Sequence, residues 1–207
     1  MDPAQSDLGF IHRFVPAEDE NRTPLLLLHG TGGNESDLIP LGLQLSPAAA
    51  LLSPRGKVSE NGMPRFFERR AEGVFDVEDL NARTEELGHF IDAARKSYGI
   101  AKPIALGFSN GANIAWSLLL NRPDALKGAI LMRGMMPFDP PPGVRLEGVP
   151  VLVLNGSEDL IVPAETRDRL SRVLREAGAD VRYEILPAGH QLTRQDLVLA
   201  TDWLSGR

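Results

Sequence analysis

Short apolar runs alternate along this chain with longer segments of helical period, a pattern that predicts a mostly parallel sheet with helices on both faces. Leu25–Leu28, Gly128–Met132 and the stretches 49–52, 103–106, 149–154 and 181–186 read as buried strands. Residues 10–15 read as an antiparallel edge strand. Between them, 79–98 carries Leu80, Leu87, Phe90, Ile91 and Ala94 at helical spacing, with Gly99 as its C-terminal stop. Residues 112–120, 164–177 (before Gly178) and 193–204 read as further helices, the last opened by a Thr193/Asp196 capping pair. Pro140-Pro141-Pro142 reads as loop. No periodicity organises 53–77, yet it holds Met63, Phe66, Phe67 and Phe75. These large apolar groups either cover the core or wall a substrate pocket.

One turn stands out within this frame. Gly107-Phe108-Ser109-Asn110-Gly111 sits where an apolar strand meets a helix. A serine at such a sharp turn adopts strained backbone angles that lift its hydroxyl above the sheet, and the flanking glycines let strand and helix approach. Ser109 is therefore a candidate nucleophile.

Composition narrows the classes without choosing among them. The 207 residues, 43% hydrophobic and 24% charged, suit one globular domain spanning 1–207, with no linker or repeat. A net charge of −6 without a Lys/Arg cluster disfavours nucleic acid. Arg65, Arg69 and Arg70 read as a solvated face or a pocket rim. The absence of cysteine excludes disulfides, Cys-ligated zinc and a thiol nucleophile. No apolar run approaches a bilayer span, and residues 1–10 lack a basic segment followed by an apolar one, so a cytoplasmic protein is the expectation.

A serine hydroxyl needs a base to take its proton and a carboxylate to orient that base. His190 follows the last expected strand, in Pro187-Ala188-Gly189-His190, and Asp159 follows an earlier one, in Asn155-Gly156-Ser157-Glu158-Asp159. Glu158 competes with Asp159 as the acid; the Gly-x-x-Asp spacing favours Asp159. The order Ser, Asp, His is that of α/β-hydrolases. An oxyanion would be met by the backbone N–H groups of Asn110 and of Thr31, in the loop His29-Gly30-Thr31-Gly32-Gly33. That loop lacks the Gly-Lys-Ser/Thr ending of a phosphate-binding turn. His29 reads as a residue that shapes it by hydrogen bonding, while His12 and His89 read as surface residues. No metal or cofactor is expected.

With these residues in place, the chain resembles the α/β-hydrolase superfamily, and most closely its small bacterial carboxylesterase branch, related to phospholipase/carboxylesterase and acyl-protein thioesterase enzymes. The stretch from Leu28 through Gly30-Thr31-Gly32-Gly33 to Leu38 is similar to that branch's first loop; Ser53-Pro54-Arg55-Gly56, 107–112 and Gly189-His190 match later blocks. Glu60-Asn61-Gly62-Met63-Pro64-Arg65-Phe66-Phe67 resembles the MhqD-like hydrolases. The resemblance implies a single three-layer αβα domain and a cofactor-independent serine esterase; with about two hundred residues spent on the sheet and its helices, little is left for a lid over a long chain, so small acyl or aryl esters are the expected substrates. Arg55, Met63, Phe66 and Phe67 are the expected substrate contacts. Asn110 stands where the acyl-protein thioesterases carry glutamine, which weakens any transfer of their specificity. A thioesterase, a lactone or carbon–carbon bond hydrolase, and a ligand-binding protein on a hydrolase fold are the alternatives. A small-molecule ester is the expected partner, and a homodimer is preferred only because two-fold dimers are the commonest assembly.

Overall fold

The computed structural model describes residues 8–71 and 73–207; the leader reading, as far as it rests on residues 1–7, lies outside them. The chain runs β1 (His12–Val15), β2 (Leu25–Leu28), α1 (Ile39–Leu45), β3 (Leu51–Pro54), the short strands β4 (Val58–Glu60), β5 (Met63–Arg65), β6 (Arg69–Ala71) and β7 (Val74–Phe75), and then α2 (Val77–Tyr98). It continues through β8 (Ile104–Phe108), α3 (Asn110–Asn121), β9 (Gly128–Met132), β10 (Pro150–Gly156), α4 (Ala164–Glu176), β11 (Asp180–Leu186) and α5 (Arg194–Ser205). The main sheet has the order β1-β3-β2-β8-β9-β10-β11. Only β1 is antiparallel, paired to β3 with His12 opposite Pro54. The fold is that of an α/β-hydrolase.

Alternation along the strands divides the core into two layers. Leu26 and Leu28 point into a cluster with α2, α3 and α4, whereas Leu25 and Leu27 join Ile39, Leu45, Ala200 and Trp203 of α1 and α5 on the opposite face. The sheet is thus buried on both sides. Helix α3 is buried from Asn110 to Leu120, apolar on nearly every side, as a helix wedged between sheet and α2 must be. Burying each of its leucines contributes about 1.5–3 kcal/mol relative to exposure. The helix that follows Ser109 is therefore among the most firmly held elements.

Several expectations shift. Strand β3 begins at Leu51 rather than at 49, because Ala49 and Ala50 lie buried in the turn that enters it. Helix α1 has no counterpart in the sequence reading: its seven residues include a proline in the first turn and a mid-helix glycine. The unpatterned stretch 53–77 holds two small hairpins, β4-β5 and β6-β7. His12 is not a surface residue but is buried, its Nε2 bonded to the Tyr98 hydroxyl over 2.7 Å. His89 is exposed.

Candidate active site

Strand β8 ends at Phe108, and the chain reverses into α3 through Ser109, whose backbone takes φ +53°, ψ −113°. A non-glycine residue in this left-handed region is strained and persists only where its surroundings fix it. Two bonds do so here. The Ser109 N–H donates to the Met132 carbonyl of β9 (2.9 Å), and the Ser109 carbonyl accepts from Asn113 (3.0 Å). The glycines are sterically required: a Cβ on Gly111 would collide with the Leu28 carbonyl, and one on Gly107 would lie 2.5 Å from the Gly111 carbonyl oxygen. As the first helical residue, Asn110 presents an N–H with no intrahelical acceptor, at the positive end of the α3 dipole.

His190 hangs over this turn from the loop after β11. Its Nε2 lies 3.0 Å from Ser109 Oγ and its Nδ1 lies 2.8 Å from Asp159 Oδ2. An ionised carboxylate can only accept, so Nδ1 carries the proton and Nε2 is left as the acceptor for the serine O–H. The Asp159 side chain is 1% exposed and that of His190 17%. The other Asp159 oxygen accepts from the N–H groups of Ile161 (2.8 Å) and Val162 (3.1 Å), which fix the carboxylate in its turn. Glu158 is exposed. The structure thus brings Ser109, His190 and Asp159 into one hydrogen-bonded chain from the ends of β8, β11 and β10.

The glycine loop after β2 faces this chain and is held from behind. His29 Nε2 accepts from the Gly56 N–H (3.0 Å), so Nδ1 must be the protonated nitrogen, donating to the Gly30 carbonyl (2.7 Å). Burial holds His29 below the ordinary histidine range. From the β4-β5 hairpin, the buried Arg65 guanidinium donates to Thr31 Oγ1 (2.7 Å) and pairs with Glu60 (3.1 Å). The Gly32 N–H donates to the Pro64 carbonyl (2.9 Å). The Phe66 N–H reaches across to Asn110 Oδ1 (2.8 Å), so one hairpin braces both the loop and the turn.

The four expected substrate contacts are placed differently from one another. Phe66 and Phe67 are buried in the core cluster, where they act as the covering groups of the first reading. Arg55 is engaged by Glu35 through two hydrogen bonds (2.5 and 2.8 Å), which hold the Glu35 carboxyl below its usual range. Met63 is 40% exposed and packs over Gly32. Two clefts of about 420 Å³ each open beside the site. One is lined by the glycine loop with Leu38, Phe108, Gln191 and Leu192. The other is lined by Phe75, Met135, Met136, Leu160 and Ile161 together with Glu165 and Arg169, with Leu160 99% exposed. The second cleft is tied to the site through Ile161 N–H on Asp159 and Met135 N–H on Asn113 Oδ1 (2.9 Å).

Three supporting side chains escape the sequence reading. The sequence points to the backbone N–H of Asn110 but not to its side chain, to Arg65 only as a surface or rim group, and not to Arg133 at all. An arginine directly after the wholly apolar strand Gly128–Met132 was the available signal, since a cation there must find partners inside the protein. Among the described residues no group of three or more His, Asp or Glu side chains is placed to hold a metal ion.

An α/β-hydrolase sheet with a strained serine turn defines the class. The Phospholipase/Carboxylesterase family profile matches residues 11–206, and the chain belongs to that family of carboxylic-ester hydrolases. It is 48% identical over 184 residues to the Bacillus subtilis (strain 168) protein named "Putative hydrolase MhqD", covering 86% of this chain and 90% of that one. Among solved structures, the Bacillus cereus carboxylesterase superposes with a TM-score of 0.95 at 44% identity, covering 98% of this chain and 96% of the other. A carboxylesterase from Mesorhizobium loti gives 0.92 at 33% identity, covering 99% of each chain.

Proposed function

We propose that this chain is a cofactor-independent serine esterase that cleaves small acyl or aryl carboxylic esters through an acyl-enzyme. Ser109 Oγ attacks the ester carbonyl while His190 Nε2 takes its proton; the imidazolium then returns that proton to the departing alcohol. Asp159 holds the ring in the tautomer this requires and stabilises its charge. Water repeats the sequence to release the acid. The observation that carries this reading is the unbroken chain Ser109 Oγ–His190–Asp159 at 3.0 and 2.8 Å.

The oxyanion of each tetrahedral intermediate is met by the N–H groups of Asn110 and Thr31. The neighbouring N–H groups of Gly32 and Gly33 are already bonded to Pro64 and Gly30, which supports Thr31 as the loop's donor. Each such donor is worth about 3 kcal/mol of transition-state stabilisation. The clefts, about 420 Å³ apiece, lie near the low end of the range of about 300–1,000 Å³ for small-molecule sites. That size favours a short acyl group or a single aryl ring over a long lipid. The partner is accordingly a small-molecule ester, and the protein is read as cytoplasmic; among the described residues no helix is long and apolar enough to cross a membrane.

Hydrolysis of p-nitrophenyl acetate and butyrate by wild type and Ser109→Ala tests the reading. Loss of turnover in the variant, with fluorophosphonate labelling of the wild type at Ser109, is expected. A variant that hydrolyses both esters at the wild-type rate overturns it.

A further inference from the structure

We propose that Arg133 and Asp196 form a buried clamp whose role is to position His190. The proposal rests on the catalytic reading of His190 given above. Both side chains are completely shielded from solvent, and they meet in a two-pronged ion pair, Nη1 to Oδ1 at 2.7 Å and Nη2 to Oδ2 at 2.8 Å.

The remaining donors of the guanidinium show what the pair is for. Nε donates to the Gly189 carbonyl (3.0 Å) and Nη2 to the Gln191 carbonyl (3.0 Å), the residues on either side of His190. Nη1 also reaches the Leu154 carbonyl (3.3 Å) on β10, the strand that delivers Asp159. All five N–H groups are thereby engaged, three of them on backbone oxygens around the base and the acid. A lysine has three donors without the planar fork and cannot reproduce this set.

Arg133 is itself held in place. Its backbone takes φ +55°, and its N–H donates to the Leu154 carbonyl (2.8 Å). It directly follows Met132, whose carbonyl takes the Ser109 N–H. On the other side, Asp196 Oδ2 also accepts from the Thr193 N–H (2.7 Å) and hydroxyl (2.8 Å). The capping box of α5 therefore anchors the C-terminal end of the histidine loop to the same carboxylate. One ion pair joins the nucleophile's strand neighbour, the acid's strand and the peptide groups flanking the base.

A buried ion pair that merely filled space could be exchanged for apolar groups of similar volume without loss. The clamp makes a different prediction, because a shift of the imidazole by about 1 Å costs on the order of 10²-fold in rate. The test is the double variant Arg133→Met/Asp196→Leu, which removes both charges together and leaves neither unpaired. Asp196→Asn, which keeps shape and one acceptor oxygen, is the milder companion. In folded protein, judged by a cooperative thermal transition, we expect kcat for p-nitrophenyl acetate to fall about 10–100-fold in the double variant, with KM changed less than about threefold. The rate of fluorophosphonate inactivation falls by the same factor. The far-downfield proton resonance of His190 Nδ1–H shifts upfield or broadens. Asp196→Asn shows the same pattern at smaller amplitude, and Arg133→Lys does not restore the wild-type rate. Wild-type kcat and inactivation rate in either folded Asp196 variant overturn the clamp. Failure of the catalytic reading looks different: Ser109→Ala would then keep its activity, whatever the clamp variants do.

Discussion

The backbone N–H of Phe66 donates to the side-chain oxygen of Asn110 over 2.8 Å, so the residue directly after Ser109 receives a hydrogen bond from a hairpin 44 positions earlier in the chain. Asn110 thus has two tasks in the proposed reaction scheme: its backbone N–H is assigned to the oxyanion, and its side-chain oxygen secures the end of the β4-β5 hairpin. Lengthening the side chain separates the two. Asn110→Gln forces an extra methylene into a buried site and displaces the acceptor, at a cost of about 1–3 kcal/mol. Urea unfolding should show that loss, accompanied by lower kcat/KM for p-nitrophenyl acetate. A stable and fully active glutamine variant would refute the double role.

The strain at Ser109 sets stability against activity. Glycine tolerates φ +53° and alanine does not, so Ser109→Gly should be more stable than Ser109→Ala by about 1 kcal/mol, reversing the usual order of the two residues. Both should be inactive. Paired denaturant melts decide it.

Asp159 and the adjacent Glu158 should differ sharply in consequence. Asp159→Asn leaves the shape of the site but allows the wrong histidine tautomer, with kcat expected to fall by about 10⁴. Glu158→Gln, altering an exposed side chain, should leave kcat within about twofold. A larger effect at Glu158, in steady-state assays, would reassign the acid.

His29 gives the fold a pH dependence of defined sign. Burial lowers its folded-state value below the ordinary 6.5, so below that pH the unfolded chain binds a proton that the folded chain refuses. Stability is therefore full above 6.5 and declines as pH falls toward the folded-state value. Between pH 7 and 5 the melting temperature of the wild type should fall more steeply than that of His29→Gln. Equal slopes would remove His29 as the cause.

The exposed Leu160 is the residue most open to redesign of specificity. Leu160→Asn should lower kcat/KM for p-nitrophenyl butyrate more than for the acetate if the longer acyl chain enters the cleft that Leu160 lines, by up to about tenfold. Equal losses would place the acyl group elsewhere.

What could be read in advance follows from how local each signal is. Strands such as Leu25–Leu28 and Gly128–Met132 are continuous apolar runs, because a sheet covered on both faces asks for little else. The serine turn was legible because its glycines are imposed by contacts within one strand–turn–helix unit. Helix α1 was not, since Pro40 and Gly42 obscure its period, and neither were the hairpins between Pro54 and Val77, whose strands are two or three residues long. Arg133 and His12 escaped for a different reason. Their burial depends on partners 63 and 86 positions away, Asp196 as an acceptor and the Tyr98 hydroxyl as a donor, and no local pattern records them.

The ends of β8 and β11 meet only in the finished sheet, and Ser109 and His190 are separated by 81 positions. A ribosome that has already delivered the serine must therefore translate dozens of further codons before its proposed base exists, and β11 must then dock as the outermost strand. A chain that stops short of His190 holds the serine turn without the base that the proposed reaction needs. In a refolding experiment the return of esterase turnover would consequently report the completed sheet rather than the serine turn alone.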